Sequence, residues 1–288
     1  MAVNSFASIG NAFDNGKVHY QYVYKGAIPS PGTAGYFVDT SLSSGTPKYN
    51  GYIGNALEAT PFSGSGNNGI YVGNYLAGST KHLVRWQAVY AGASTPIPSY
   101  LMLMDYLLFY PLIDLDSVDQ QDFDNTLSLT RYTSGEGVRA FIVLTAPMSI
   151  SANCTVVYTN SDGVTDRTVS FSLIPGSGNG IVVSGSDLSG GVAGSTTPFI
   201  PLSSGDKGIR SVQSFTMSGS AGGFATLVLA KPLAELVLYE SGVPTEKNFG
   251  FETRQMPEVK QGAYLNIIAN QGAVQPGNLR CELIFANS

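Results

Sequence analysis

The densest concentration of potential ligand atoms is Asp114-Leu115-Asp116-Ser117-Val118-Asp119-Gln120-Gln121-Asp122-Phe123-Asp124-Asn125, with five acids in 12 positions. Carboxylates converging from such a stretch could hold a hard cation such as calcium, and Asp114, Asp116 and Asp119 are the candidate ligands. The EF-hand rule requires D-x-[DN]-x-[DN]-G with Glu in twelfth place, whereas Val118 and Asp119 stand fifth and sixth. The sequence therefore favours Asp124 or Asn125 capping a turn, and no metal site is expected. Gly64-Ser65-Gly66-Asn67-Asn68-Gly69 has the GxGxxG spelling of a dinucleotide loop. The strand-like Ile70-Tyr71-Val72 follows it where a helix should begin, so a flexible loop is expected and no cofactor.

Nucleophilic catalysis needs a base beside the nucleophile, and the only histidines are His19 and His82, neither near a nucleophile motif. His82 opens a strand-like run and reads as a partly buried structural histidine. Cys154 and Cys281 stand 127 positions apart and read as buried thiols, because two distant Cys and two distant His cannot supply local zinc spacing. Two carboxylates of a glycoside hydrolase meet only in the fold, which keeps that chemistry as a minor alternative. No residue takes a catalytic assignment, and the chain is expected not to be an enzyme.

The elements that would position these residues belong to a turn-rich β protein. Thirty-four Gly and 15 Pro punctuate short apolar stretches, and long amphipathic helices are missing. Thr155-Val156-Val157-Tyr158 and Thr168-Val169-Ser170-Phe171-Ser172-Leu173, joined through Asn160-Ser161-Asp162-Gly163, predict a hairpin. Further strands are expected at Gly137–Leu144, Gly208–Phe215 and Phe224–Ala230, giving an antiparallel β-sandwich, jelly-roll or immunoglobulin-like, over about 136–242. Residues 1–75, broken by Gly and Pro between pieces such as His19-Tyr20-Gln21-Tyr22-Val23-Tyr24, read as an extended, irregular N-terminal arm. Segment 76–135 carries the strand-like His82–Tyr90, the apolar run Tyr100–Tyr110 and the acidic loop, and is expected to pack with 243–288. In that tail, Gly262–Ala269 and Arg280–Phe285 alternate like a terminal hairpin with a long loop.

Composition excludes several partners. Charged residues make up 12% of the 288, against about 25% in ordinary soluble proteins. Area scaling gives a compact monomer roughly 12,000 Å² of surface, so charge is sparse on it. A net charge of −5 argues against nucleic acid, whose affinity comes from Lys and Arg displacing counterions. The N-terminus lacks a basic region followed by an apolar core, and the run Tyr100–Ile113, broken by Asp105 and Pro111, is too short to span a bilayer. A chain made and folded in a cytoplasm, with no membrane partner, is expected, and the sequon at Asn153 is expected to stay unused. Sixteen Tyr and 14 Phe against one Trp suit either interfaces or a β core. Sugar binding would rest on tyrosines.

One stretch resembles a known class. Tyr110-Pro111-Leu112-Ile113-Asp114-Leu115-Asp116-Ser117 leading to Asp124-Asn125-Thr126, Arg131-Tyr132 and Gly135-Glu136-Gly137-Val138 resembles a segment of virion structural proteins of tailed bacteriophages. Pro198-Phe199-Ile200-Pro201-Leu202, Gly208-Ile209-Arg210-Ser211-Val212, Lys231-Pro232-Leu233 and Gln261-Gly262-Ala263-Tyr264-Leu265-Asn266 extend it. The resemblance begins near residue 83 and defines no active site. It implies a phage-particle component assembled in the bacterial host cytoplasm. The expectation is a capsid decoration or cement protein that binds the major capsid protein and forms a homo-oligomer, with a trimer favoured. A tail, collar or baseplate component and a carbohydrate-binding or depolymerising protein are the rivals.

Overall fold

A computed structural model describes residues 5–29, 35–62, 69–74, 78–91, 99–184, 197–252, 256–270 and 277–288. The glycine-rich loop at 64–68 lies outside them. Helix α1 (Phe6–Asp14) opens the chain, followed by β1 (Val18–Gly26), β2 (Phe37–Asp39), β3 (Ser44–Thr46), β4 (Thr60–Pro61), β5 (Lys81–Ala91), β6 (Ser99–Asp114) and β7 (Gln121–Asp122). Then come β8 (Arg139–Leu144), β9 (Ala152–Asn160), β10 (Arg167–Leu173), β11 (Ile181–Val182), β12 (Ile209–Met217) and β13 (Phe224–Leu238). The chain ends with β14 (Thr245–Asn248), α2 (Phe249–Glu252), β15 (Glu258–Val259), β16 (Leu265–Asn270) and β17 (Asn278–Asn287). The protein is all-β and its strand pairs are antiparallel, as the turn punctuation requires.

The central sheet runs β13-β8-β11-β2-β16-β6-β4, and a further pairing of β13 with β6 closes six of its strands into a ring. The ring explains the continuous apolar run in β6 and in β8, because a strand with packed layers on both faces has no polar side. In β8, Phe141 and Val143 join the cluster enclosed by the ring, while Ala140, Ile142 and Leu144 face outward into a second core. That second core is closed by a four-stranded sheet, β10-β9-β12-β7, through Cys154, Val156, Tyr158, Val212 and Phe215. A third core lies between the ring and the sheet β14-β5-β17-β1-β3, where Leu83, Trp86, Cys281, Leu283 and Phe285 meet Leu101, Leu103, Leu265 and Ile267. The apolar stretch from Tyr100, which sequence alone leaves open to strand or helix, is thus a strand.

The expected hairpin forms, with Val156 opposite Val169 and Tyr158 opposite Arg167. The tail behaves differently from its sequence pattern. β16 and β17 do not pair with each other: β16 joins β6 and β17 joins β5. Every residue of β16 is buried, so it needs packing on both faces and enters the ring, whereas β17 can leave Arg280 outward. Both strands still pair with the 82–113 region, and β5 and β6 tie it to the tail. Among the described residues of 1–75 stand α1, a 3-10 turn at Thr40–Leu42 and four strands, of which three have two or three residues. β1 pairs with β17, and β2 sits inside the ring between β11 and β16. β6 and β13 pair from Ser99 to Asp114, so segments 76–135 and 136–242 share one sheet. No helix among the described residues is long and apolar enough to cross a membrane.

Candidate interaction surface

The acidic stretch is folded into turns by its own backbone. Asp114 Oδ1 accepts the Asp116 N–H at 2.9 Å, and Asp116 Oδ1 accepts the Ser220 hydroxyl and, at 3.0 Å, the Gly222 N–H. Asp119 directs its N–H to Ser117 Oγ, and Asp124 Oδ1 accepts the Thr126 N–H at 2.9 Å. Asn125 bridges Tyr110 Oη and the Val212 carbonyl. The carboxylates of Asp114 and Asp124 thus hold turns and that of Asp116 ties down the 220–222 segment, and among the described residues no three His, Cys, Asp or Glu side chains converge as a metal site would need. His19 and His82 lie on β1 and β5 with β17 between them. His19 packs edge-on to Tyr71 at 5.2 Å, and burial lowers the His82 pKa. Cys154 and Cys281 are free and buried, and burial raises both thiols, Cys281 to about 12.

Sequence reasoning missed an interior polar network. Inside the ring, Asp39 is fully buried and accepts from Tyr52 Oη, Tyr106 Oη at 2.9 Å, and the N–H and hydroxyl of Ser41 at 2.8 Å each. Burial raises its pKa against the pull of these donors. Beside it Lys25, also buried, donates to the carbonyls of Pro47 at 2.7 Å and Ser43 at 3.4 Å, and desolvation lowers it to about 8. Arg131 grips Asp105 through Nε at 2.9 Å and Nη2 at 2.8 Å, and Asp105 takes a further bond from the Tyr264 N–H. Lys81 holds the carbonyls of Val72, Gly73 and Asn74. All of these side chains are enclosed by protein, so the network is an internal brace.

The outer face of the sheet built on β1, β17, β5 and β14 is open. Alternation in β1 turns Val23 inward and Tyr20, Tyr22 and Tyr24 outward, where they are 49%, 65% and 42% exposed. Their cross-strand partners on β17 are Ile284, Glu282 and Arg280. Arg280 lies over the Tyr24 ring at 5.8 Å. The next strand adds Arg85, which bonds Glu282 at 2.7 Å and reaches Glu246 at 3.6 Å. Arg85, Glu282 and Glu246 are therefore paired with one another, while Arg280 is engaged by an aromatic ring. A β-bulge at Val84 puts both Val84 and Arg85 on this side, and Ile9 and Ala12 of α1 cover Val84 and Ala286. Beside that contact runs a groove of about 440 Å³ between Phe13, Tyr20, Ile284 and Phe251. α1 itself is pinned by a capping box, with the Ser5 hydroxyl accepting from the Ser8 N–H and the Ser8 hydroxyl from the Ser5 N–H. The sequence signal for this face was the Tyr-x-Tyr-x-Tyr alternation at 20–24.

No protein-family model matches the chain, and no curated protein matches it. Among solved structures, an infectious bursal disease virus VP2 subviral particle aligns at 9% identity, covering 93% of this chain and 80% of that one, with a TM-score of 0.20. Particles derived from infectious bursal virus align at 10% identity over 93% and 77%, also with a TM-score of 0.20. Both come from that virus, not from a tailed phage. A likeness at this level carries no functional argument.

Proposed function

We propose that the chain is a structural protein of a virion that works by adhesion, without catalysing a reaction, and that its place is the exterior of a tailed-phage head as a decoration or cement protein. The observation that carries the adhesive reading is the row Tyr20, Tyr22 and Tyr24, exposed on a sheet face where Arg85 pairs with Glu282 and Glu246 and Arg280 lies over Tyr24. Tyrosine offers large contact area with a polar tip and few rotamers to freeze, which suits a lattice contact. Charge elsewhere is sparse, since five of the 15 basic and 20 acidic residues, Lys25, Asp39, Lys81, Asp105 and Arg131, are spent inside. The phage assignment rests on the resemblance of the 110–138 segment, and the partner it implies is the major capsid protein.

Mass-spectrometric stoichiometry against that protein tests the reading. Hundreds of copies per particle support decoration. About a dozen would move the protein to a tail, collar or baseplate ring, and none would overturn the virion role. Particles lacking the protein should lose heads to heat or low salt sooner than complete ones. A second reading, glycan binding at the host surface, draws on the same tyrosine row beside the planar Arg280, Glu282 and Gln87. Saturable binding of host polysaccharide, abolished by Tyr22→Ala, would favour it.

A further inference from the structure

β1 is an edge strand over half its length. Its C-terminal end pairs with β3 through Tyr24, Lys25 and Gly26, while Val18 to Val23 pair only with β17. A Cβ on Gly45 of β3 would stand 2.0 Å from the Tyr24 carbonyl oxygen, so that carbonyl points toward β3 and away from β17. Strand periodicity then aims the N–H and C=O groups of Val18, Tyr20 and Tyr22 out of the same open edge. Consistently, the Tyr22 carbonyl accepts the Gln21 side-chain amide at 2.8 Å, and among the described residues no backbone group bonds to this edge.

Natural sheets blunt such edges with charge, proline or brevity. Other edges here follow that rule. β14 carries Glu246 and Lys247, β3 and β7 have three and two residues, and the Thr168 carbonyl of β10 is taken by Ser203 Oγ at 3.0 Å. Val18-His19-Tyr20-Gln21-Tyr22-Val23 has no acidic or basic residue beyond one histidine and no proline.

We propose that this edge pairs with the same edge of a second copy, antiparallel and two-fold, with Tyr20 opposite Tyr20 on the axis and Val18 opposite Tyr22 on either side. This register uses the edge-facing groups of Val18, Tyr20 and Tyr22, with the partner strand displacing the Gln21 amide from the Tyr22 carbonyl, and stops where β3 covers Tyr24. It sets aromatic against aromatic and aromatic against β-branched side chains, the favourable cross-strand pairs. The two sheets become one, and each tyrosine row continues into the other. Two-fold pairing differs from the trimer expected from sequence. It deepens the adhesive reading by naming one partner, and it stands on the edge alone: a dimer that binds no particle would sink the virion role and leave the pairing intact.

The test is sedimentation velocity on the full chain across concentration, with Tyr20→Lys, Tyr20→Glu and their mixture. Tyr20 is half-exposed, so both variants should keep the fold, checked by circular dichroism. Wild type should dimerise. Each charge variant alone places like charges opposite one another and should raise the dissociation constant at least about 10-fold. Mixing the two should restore dimers, and Tyr239→Lys, on a distant exposed residue, should change nothing. A monomeric wild type, a trimer, or a dimer indifferent to Tyr20→Lys would overturn the proposal, as would a Lys and Glu mixture that stays monomeric.

Discussion

Replacing Arg131 by Met tests the claim that ionic bracing inside the protein is a matter of partner removal. The Asp105 and Arg131 side chains are 0% and 8% exposed, joined by bonds of 2.9 and 2.8 Å. Arg131 also donates to the Tyr106 carbonyl at 2.8 Å and the Phe62 carbonyl at 3.4 Å. Removing it leaves a carboxylate in the interior with the Tyr264 N–H as its donor. A buried charge stranded in this way costs about 3–5 kcal/mol, a large share of the roughly 5–15 kcal/mol by which a domain is stable. The double variant Asp105→Leu with Arg131→Met removes the charge as well. Both variants lose the bonds to the Tyr106 and Phe62 carbonyls; the double variant adds only an unmet Tyr264 N–H, about 1–3 kcal/mol, in place of the stranded charge, so it should be more stable than the single variant. Burial already raises the Asp105 carboxyl, and losing Arg131 raises it further. Between the unfolded value of about 3.9 and that raised value the native state holds the extra proton. Stability of the single variant should therefore rise as pH falls, approaching about 1.4 kcal/mol per pH unit within that window. Urea denaturation at pH 7 and 5, with an unchanged m-value, measures both effects. A single-variant cost under about 1 kcal/mol, or a double variant weaker than the single, would refute the argument.

Three further outcomes follow from the same reasoning. Cys154 and Cys281 should resist a thiol reagent in the native protein and react at the rate of unfolding, because burial withholds the thiolate; prompt labelling of either would contradict their placement. Asp116→Ala should lower stability by about 1 kcal/mol through loss of the bonds to Ser220 and Gly222, and calcium should leave the melting temperature of wild type unchanged, both read by calorimetry. Lys25 and Lys81 are each lowered to about 8 from 10.5, so above pH 8 the unfolded chain holds more protons and stability should climb. The buried Tyr52 and Tyr106, raised above their usual value, reverse the sign once unfolded tyrosine ionises at about pH 10, so the urea midpoint should climb above pH 8 and then turn over, and Lys81→Met should flatten the rise.

What the sequence made legible was whatever depends on neighbours along the chain. β-branched residues across Asn160-Ser161-Asp162-Gly163 specify a hairpin locally, and it forms. Asp124 and Asn125 serve turns two residues away or nearby strands, as their types suggest. The same logic failed for β16 and β17, because alternation reveals that a strand has a buried face but not which strand covers it. The interior brace was illegible for a related reason. Asp39 meets Tyr106 across 67 positions, and Asp105 meets the Tyr264 N–H across 159, separations at which no local pattern exists. The tyrosines at 20, 22 and 24 lie between these cases. Their spacing shows that they share one face, and only the placement of β17 and β3 decides that the face is outward and the edge open. Sparse charge gains its meaning from the fold in the same way. With five ionisable side chains withdrawn inside and Arg85 bound to Glu282, this face has little long-range field to steer a partner. Recognition there must come from shape, aromatic contact and strand pairing, so binding through this face should depend weakly on salt, and a steep ionic-strength dependence would place the contact on another surface.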